Sequence, residues 1–320
     1  MTQPELEQRI RERAQELLAA EEVACVIGYS AGTAPLRAAP FFARTADDCG
    51  RLVFNQSCAN NLALYLVRPR ERVAILAKGC DARSVVTLLG EQQCQREQVR
   101  IIGLPCRGMI SERAVRACLE APLRDVRGVR DEGEALIIEL AGGEQSLPRD
   151  EVLMGNCRTC PVTTPAVYDE LLGDPIEARH EEYALLAELE AMGPAERRAF
   201  WERELGRCIR CYACRQVCPS CHCPECFADS LAPQWALSGG AQYSGNWMWH
   251  VGRAQHLAGR CSACGNCERA CPVSIPLMLF NKWMERAVQQ QLSYAVGLQE
   301  GQPQLAALFR PPGSDRKSVV

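Results

Sequence analysis

Two stretches of the chain repeat one cysteine pattern, and that pattern leaves few folds open. The first reads Cys208-Ile-Arg-Cys211-Tyr-Ala-Cys214-Arg-Gln-Val-Cys218-Pro219, the second Cys261-Ser-Ala-Cys264-Gly-Asn-Cys267-Glu-Arg-Ala-Cys271-Pro272. A loop with this spacing curls three thiolates around one [4Fe-4S] cube and sends the fourth, followed by proline, to a neighbouring cube. The exchange rule assigns Cys208, Cys211, Cys214 and Cys271 to a first cluster. It assigns Cys218, Cys261, Cys264 and Cys267 to a second. Zinc is the competing occupant, but zinc ribbons use two CxxC pairs per metal and do not need triplets closed by Cys-Pro. Two adjacent cubes carry single electrons, so electron transfer is the expected chemistry.

The chain has 20 cysteines in 320 residues, a count that a secreted disulfide framework would also produce. Three features oppose that reading. The segment Met1–Ile10 is charged and has no apolar signal core. The chain is long enough to bury a core without staples, and the thiols fall in CxxC groups. A cytoplasmic protein with metal-bound thiols is expected. No apolar run approaches the roughly 20 residues of a membrane span, so no direct membrane insertion is expected. A net charge of −3 and a pI near 5.9 argue against a nucleic-acid partner.

Upstream of the cysteine runs the pattern alternates. A helical rhythm near 4–20 precedes strand-like segments at Val23–Tyr29, Leu52–Asn55, Arg72–Ala77, Val99–Leu104 and Ala135–Leu140. Helical segments are expected at Asn61–Val67, from an N-cap at Asp81 to Leu89, and from Ser111. Such alternation predicts an α/β N-terminal domain with a mostly parallel sheet over 1–195. A mainly α-helical dicluster ferredoxin domain is expected over 196–290 and a flexible C-terminal tail over 291–320. The junction falls in the charged helical stretch near 181–205, broken at Gly193-Pro194.

The two runs are separated by about 40 residues that contain Trp235, Trp247 and Trp249, here read as core. That gap resembles the helical two-cluster domains of subunits related to succinate dehydrogenase and heterodisulfide reductase. Inside it, Cys221-His222-Cys223-Pro-Glu-Cys226 adds three thiols and an imidazole directly after a cluster ligand. They could hold zinc or a further cluster, or be spare thiols packed beside the second cluster.

Cys80 and Cys106 each stand where a predicted strand gives way to a helix, on the edge of a parallel sheet where ligands bind. Cys157 and Cys160 could join them there as a third cluster, with helix N-termini, Lys78, Arg83 and Arg107 offsetting its charge. Small buried thiols are the alternative. Lys78-Gly79-Cys80-Asp81, Ile102-Gly103-Leu104-Pro105-Cys106 and Cys157-Arg-Thr-Cys160-Pro, followed by Tyr168-Asp-Glu-Leu-Leu-Gly-Asp174, resemble in order three motifs of one family. It is the coenzyme F420 hydrogenase/dehydrogenase beta-subunit family, which includes formate dehydrogenase beta subunits. The resemblance covers roughly 20–180 and implies that Cys80, Cys106, Cys157 and Cys160 hold a cluster. It also brings in FAD, which deazaflavin-reducing members bind beside that cluster. The chain departs from many members in carrying its two-cluster segment after this domain. No G-x-G-x-x-G loop is present. Gly28 and Gly32, after the first strand, are the nearest candidates for a flavin contact, with an ordinary turn as the competing reading. Cys25, Cys49, Cys58, Cys94 and Cys118 show no ligand spacing and read as packing. His180, His250 and His256 are isolated and read as structural or surface residues.

The expected function is an iron-sulfur electron-transfer subunit of a multi-subunit oxidoreductase, without catalytic residues of its own. Its partners would be a catalytic subunit of formate dehydrogenase or hydrogenase type and a heterodisulfide-reductase-like flavoprotein. The alternative is a flavoprotein that acts directly on a diffusible hydride carrier, F420 or NAD(P).

Overall fold

Three apolar segments, all of them strands buried on both faces, organise the N-terminal part. They are β1 (Cys25–Ala31), β3 (Val73–Ala77) and β4 (Val99–Gly103), and every residue of β3 is buried. Strands covered on both faces belong to parallel sheets with crossover connections. The computed structural model, which describes residues 1–230, 232–234 and 243–308, places them side by side in parallel. β2 (Ala38–Ala43) adds an antiparallel edge and β8 (Glu170–Leu171) a short parallel one, giving the order β2-β1-β3-β4-β8. The helix Gly79–Gly90 crosses from β3 to β4. It begins before Asp81, which sits in its first turn and accepts the Lys78 amide at 2.9 Å. The helix Gln3–Ala19 opens with a Thr2–Glu5 capping box and buries Ile10, Ala14 and Leu17 against the sheet core.

Several expectations are corrected. Leu52–Asn55 forms no named strand, only a bridge from Leu52 to Ser30. Asn61–Val67 contains a 3-10 turn, Leu62–Leu66, capped by the Asn61 side chain. Ala135–Leu140 is a strand (β6) but lies outside the parallel sheet. It pairs antiparallel with β5 (Val126–Asp131) and β7 (Gly143–Pro148). Connections this short can only make hairpins, and the left-handed Gly133 and Gly143 turn them. This small sheet has its own core, built on Ile110, Val115, Leu136, Ile138 and Val152.

A further core follows, centred on Trp201, Leu205, Trp249, Ile275 and Met278. It lies among the helices Pro194–Gly206, Tyr243–His256 and Leu277–Leu292. Trp249 is core as expected, whereas Trp247 is exposed and Trp235 lies outside the described residues. Among the described residues no helix is long and apolar enough to cross a membrane.

The two parts meet through buried charge. Arg83 donates to Glu285 Oε1 at 2.7 Å and to the Val296 carbonyl at 2.7 Å, and Lys282 Nζ lies 2.7 Å from Glu285 Oε2. Arg83, Lys282 and Glu285 are 4%, 0% and 8% exposed. Arg83 comes from the sheet-crossing helix and Glu285 from the last long helix. The segment expected to be a flexible tail from 291 is instead packed as far as Leu305, with Tyr294 and Val296 buried. Gly297, at φ +65°, lies so close to the Arg83 backbone that a β-carbon would overlap it. Residues 309–320 of that expected tail lie outside the described residues.

Glu285→Ala would leave two buried cations without their shared carboxylate. It should cost about 3–5 kcal/mol of stability, the usual penalty for breaking one side of a buried ion pair. Urea unfolding measures this, and a variant as stable as the parent would show that Glu285 does not hold the two parts together.

Candidate iron-sulfur centres

The two cysteine runs adopt the same backbone. In the first, Arg210 and Tyr212 are left-handed at φ +57° and +58°; in the second, Ala263 and Gly265 occupy the equivalent places at +55° and +74°. Left-handed residues alternating with right-handed ones turn successive amides inward, forming the concave nest that binds anionic groups such as iron-sulfur clusters. The inward amides find sulfur. Arg210 N donates to Cys208 Sγ and Ala263 N to Cys261 Sγ, both at 3.4 Å. Each run then continues into a short helix, Ala213–Gln216 or Asn266–Arg269.

The expected sets come together. Cys208, Cys211, Cys214 and Cys271 interact electrostatically with one another. Cys208 and Cys214 are buried and Cys211 is exposed. Cys218, Cys261, Cys264 and Cys267 line one small cavity with Arg253. The third set forms at the sheet edge. Cys157 interacts with Cys106 and Cys160, and Cys80 with Cys160 and, across the boundary between the two parts, with Cys264. Cys80 and Cys160 line a cavity with Arg83, Lys282, Ser262 and Ala263, the last two from inside the Cys261–Cys264 loop. Gly79 permits this approach, because a β-carbon there would overlap the Val162 carbonyl next to Cys160 and Pro161.

The donor sets fit a cluster chemically. Without metal, burial pushes Cys106 up to about 11 and Cys157 and Cys261 up to about 12, so these thiols hold their protons at neutral pH. Metal binding displaces such protons and supplies the positive charge that the thiolates need. The surrounding cations suit a group of net negative charge. Arg253 touches the first and second sets, and Arg83 lies between the second and third. Lys78 is buried beside the third set, ion-paired to Asp81 at 2.8 Å. Arg107, expected to help, instead faces outward toward Glu134 at 3.5 Å. No three His, Cys, Asp or Glu side chains among the described residues converge as a single metal ion would require. Sulfurs at about 2.3 Å from one zinc must nearly touch each other, whereas a cube spreads its ligands over a wider shell.

Other sequence candidates go elsewhere. Gly28 lies inside β1, where Leu52 and Leu76 occupy the space a β-carbon would take, and Gly32 abuts the Arg37 backbone in the β1–β2 turn. Packing therefore accounts for both glycines. His222 Nε2 lies 2.6 Å from Glu91 Oε2. Cys221, Cys223 and Cys226 line a separate cavity. Cys25, Cys49, Cys58 and Cys94 are buried.

The helix Tyr243–His256 carries residues that sequence reading missed. Asn246 donates to the carbonyls of Leu205 and Cys208 at 2.9 and 3.0 Å. His250 Nε2 lies 3.3 Å from Cys208 Sγ, and Arg253 donates to the Cys214 carbonyl at 3.0 Å. Their spacing of i, i+4 and i+7 was the available signal: a polar stripe on a tryptophan-bearing helix. Burial, with Arg253 and Arg210 nearby, pulls His250 down to about 3, so the imidazole is neutral, and in its Nε2–H tautomer it donates to a Cys208 thiolate. On the last long helix, Asn281 Nδ2 lies 3.5 Å from Cys267 Sγ.

Hydrogen bonds to sulfur raise cluster potentials by stabilising the reduced state. His250→Phe should therefore lower the potential of the first cluster and leave the others unchanged, while His250→Gln, still a donor, should keep most of it. A spectroscopic redox titration reads this. An unaltered potential in the Phe variant would show that the imidazole only fills space.

Comparison with known proteins bears on these sites. Residues 70–186 match the family described as the C terminus of the coenzyme F420 hydrogenase/dehydrogenase beta subunit, and residues 204–275 match the 4Fe-4S dicluster domain. The chain is 26% identical over 308 residues to the F420-dependent formate dehydrogenase subunit beta of Methanocaldococcus jannaschii, covering 78% of this chain and 79% of that one. It is 23% identical over 342 residues to F420-dependent formate dehydrogenase 1 subunit beta of Methanococcus maripaludis, covering 87% of each. A chain of the F420-reducing [NiFe] hydrogenase complex from Methanosarcina barkeri superposes with a TM-score of 0.40 at 13% identity. That superposition covers 62% of this chain and 88% of the other, and is too loose to carry weight. The chain thus carries the C-terminal domain of coenzyme F420 hydrogenase/dehydrogenase beta subunits joined to a 4Fe-4S dicluster domain, and is a distant relative of F420-dependent formate dehydrogenase beta subunits.

Proposed function

We propose that this protein is an electron-transfer subunit whose two domains, 1–195 and 196–290, hold three [4Fe-4S] clusters in one row. Cys80, Cys106, Cys157 and Cys160 would hold one end of the row. Cys218, Cys261, Cys264 and Cys267 would hold the middle, and Cys208, Cys211, Cys214 and Cys271 the other end. When bound, each cube stores and releases one electron. The observation that carries the reading is the shared cavity of Cys80, Cys160, Ser262 and Ala263, which brings the third set against the loop of the second across the boundary between the parts. The chain's own contribution is to hold that boundary rigid. Ser84 Oγ donates to Ser262 Oγ at 2.7 Å, and Asn156 Nδ2 to the Ala263 carbonyl at 2.9 Å.

Both ends of the row are open. At the first set, exposed Cys211 adjoins Ile209 (58% exposed), and the loop is tied to the helix that bears Met248 (48% exposed). Exposed apolar surface of this kind suits a protein partner. At the third set, Cys106 borders an open cleft. The partners proposed are a catalytic subunit of formate dehydrogenase or hydrogenase type, in keeping with the names of the relatives, and a heterodisulfide-reductase-like flavoprotein.

The cleft favours a second reading. It encloses about 660 Å³ and is lined by Cys106, Arg107, Met109, Arg130, Arg149 and the start of the chain. Its size suits a cofactor; its arginines, each now paired with a carboxylate, would have to turn to phosphates, and FAD there would let the protein exchange electrons with F420 or NAD(P) directly.

Two measurements on anaerobically purified protein separate the readings. Cys106→Ala should contain about four fewer irons than the parent, one cube's worth, with the dicluster signals retained; an unchanged iron content would refute the third cluster. The relay reading expects no bound flavin and no reduction of F420 or NAD(P) by the isolated chain. Bound FAD together with partner-free turnover would establish the second reading instead.

A further inference from the structure

Beside the second set lies a cavity that the row does not use. Cys221, Cys223 and Cys226 line it, together with Arg215, Arg253 and Arg260. We propose that this cavity binds a fourth [4Fe-4S] cluster, anchored by the three thiolates and held by the three guanidinium groups, with its fourth iron left to a small exchangeable ligand.

The first support is charge. Arg253 is 4% exposed, and no carboxylate among the described residues lies within ion-pair distance of it. Its Nε has no partner. Burying such a charge unbalanced is costly. Its electrostatic partners are all sulfur: Cys267, Cys218, Cys221 and Cys214. Arg215, already paired to Asp229 at 2.8 Å, also reaches Cys226. Arg260 is paired to Glu91 and interacts with Cys221 and Cys223. An anionic cube here would share Arg253 with the first and second clusters and set Arg215 and Arg260 beside its own thiolates.

The second support is space and shape. The cavity encloses about 50 Å³, against about 10 Å³ in each of the cavities at the second and third sets. Gly252 lets the Phe227 ring approach the helix to within 3.0 Å of where a β-carbon would stand, and Phe227 stacks on Trp249 to close one side.

A single zinc ion fits less well. His222, the natural fourth ligand by sequence, has its Nε2 engaged by Glu91 and Arg260 and does not line the cavity with the three thiols. Among the described residues the three thiols do not converge on one ion-sized point. Binding is a ligand exchange without change of oxidation state. Three S–H bonds become three S–Fe bonds, the protons leave to solvent, and two ferric irons, two ferrous irons and four sulfides supply the cube. The site lies off the row, next to it where the Cys221 amide donates to the Cys218 carbonyl at 3.0 Å, and so would form a side branch at the second cluster.

The test is anaerobic reconstitution of the full chain with ferric and ferrous iron in equal amounts and sulfide, followed by metal analysis and Mössbauer spectroscopy. The parent should hold about sixteen irons. Cys223→Ser, which alters an exposed thiol and spares the fold, and the triple variant Cys221→Ser, Cys223→Ser, Cys226→Ser should hold about four fewer. Both should lose a subspectrum in which one iron differs from the other three. A parent with about twelve irons and unaltered variants would overturn the proposal. So would one zinc per chain that disappears in Cys223→Ser, or loss of the second cluster's signal in that variant. Failure of the row is distinct, because it appears as unchanged iron in Cys106→Ala whatever the Cys223 variant does.

Discussion

Among the described residues no carboxylate reaches the buried guanidinium of Arg253, and its charge is set against sulfur instead. Its side chain touches cysteines of the first set, the second set and the separate thiol group. Protonated thiols give it little. Thiolates that bind iron give it a fixed negative environment. The helix that carries Arg253 also delivers Asn246 and His250 to the Cys208 loop. The C-terminal core is in this sense assembled around inorganic charge, with Trp249 and Trp201 filling the space between.

The boundary between the two parts follows the same logic. Arg83 and Lys282 are both buried and share Glu285, and Arg83 also interacts with Cys261 and Cys160. Its two sides are pressed together where side chains are absent or small. Gly79 admits the Val162 backbone, Gly297 admits the Arg83 backbone, and Gly265 leaves room for Asn156. Close approach of backbone to backbone keeps Cys80 beside the Cys264 loop, and neither part could present that arrangement alone.

Much of this was legible in the sequence because cysteine spacing is a geometric statement. A CxxCxxCxxxCP run dictates its own loop, and both runs curl alike, down to left-handed residues at matching positions. The sheet-edge set was legible from position, since Cys80 and Cys106 each follow a buried strand. What stayed hidden comes from residues distant in sequence. The i, i+4, i+7 spacing of Asn246, His250 and Arg253 marks a polar stripe, but only helix packing shows that it faces cysteines about 40 residues upstream. Ala135–Leu140 reads as one more buried strand, and only the tight turns on either side give it to an antiparallel sheet. The last segment reads as a tail because it is rich in Gly, Pro and Gln, yet Tyr294 and Val296 anchor it against the Arg83 helix.

The central claim is that the cluster sites form one continuous row through the boundary between the two parts. Electron paramagnetic resonance of the fully reduced, metal-loaded protein tests it most directly, because neighbouring reduced cubes broaden and split each other's signals. The account predicts that the sheet-edge cluster is magnetically coupled to the dicluster pair, so that its signal becomes simple only when the middle cluster is oxidised. A sheet-edge signal that is sharp and indifferent to the state of the other clusters would contradict it.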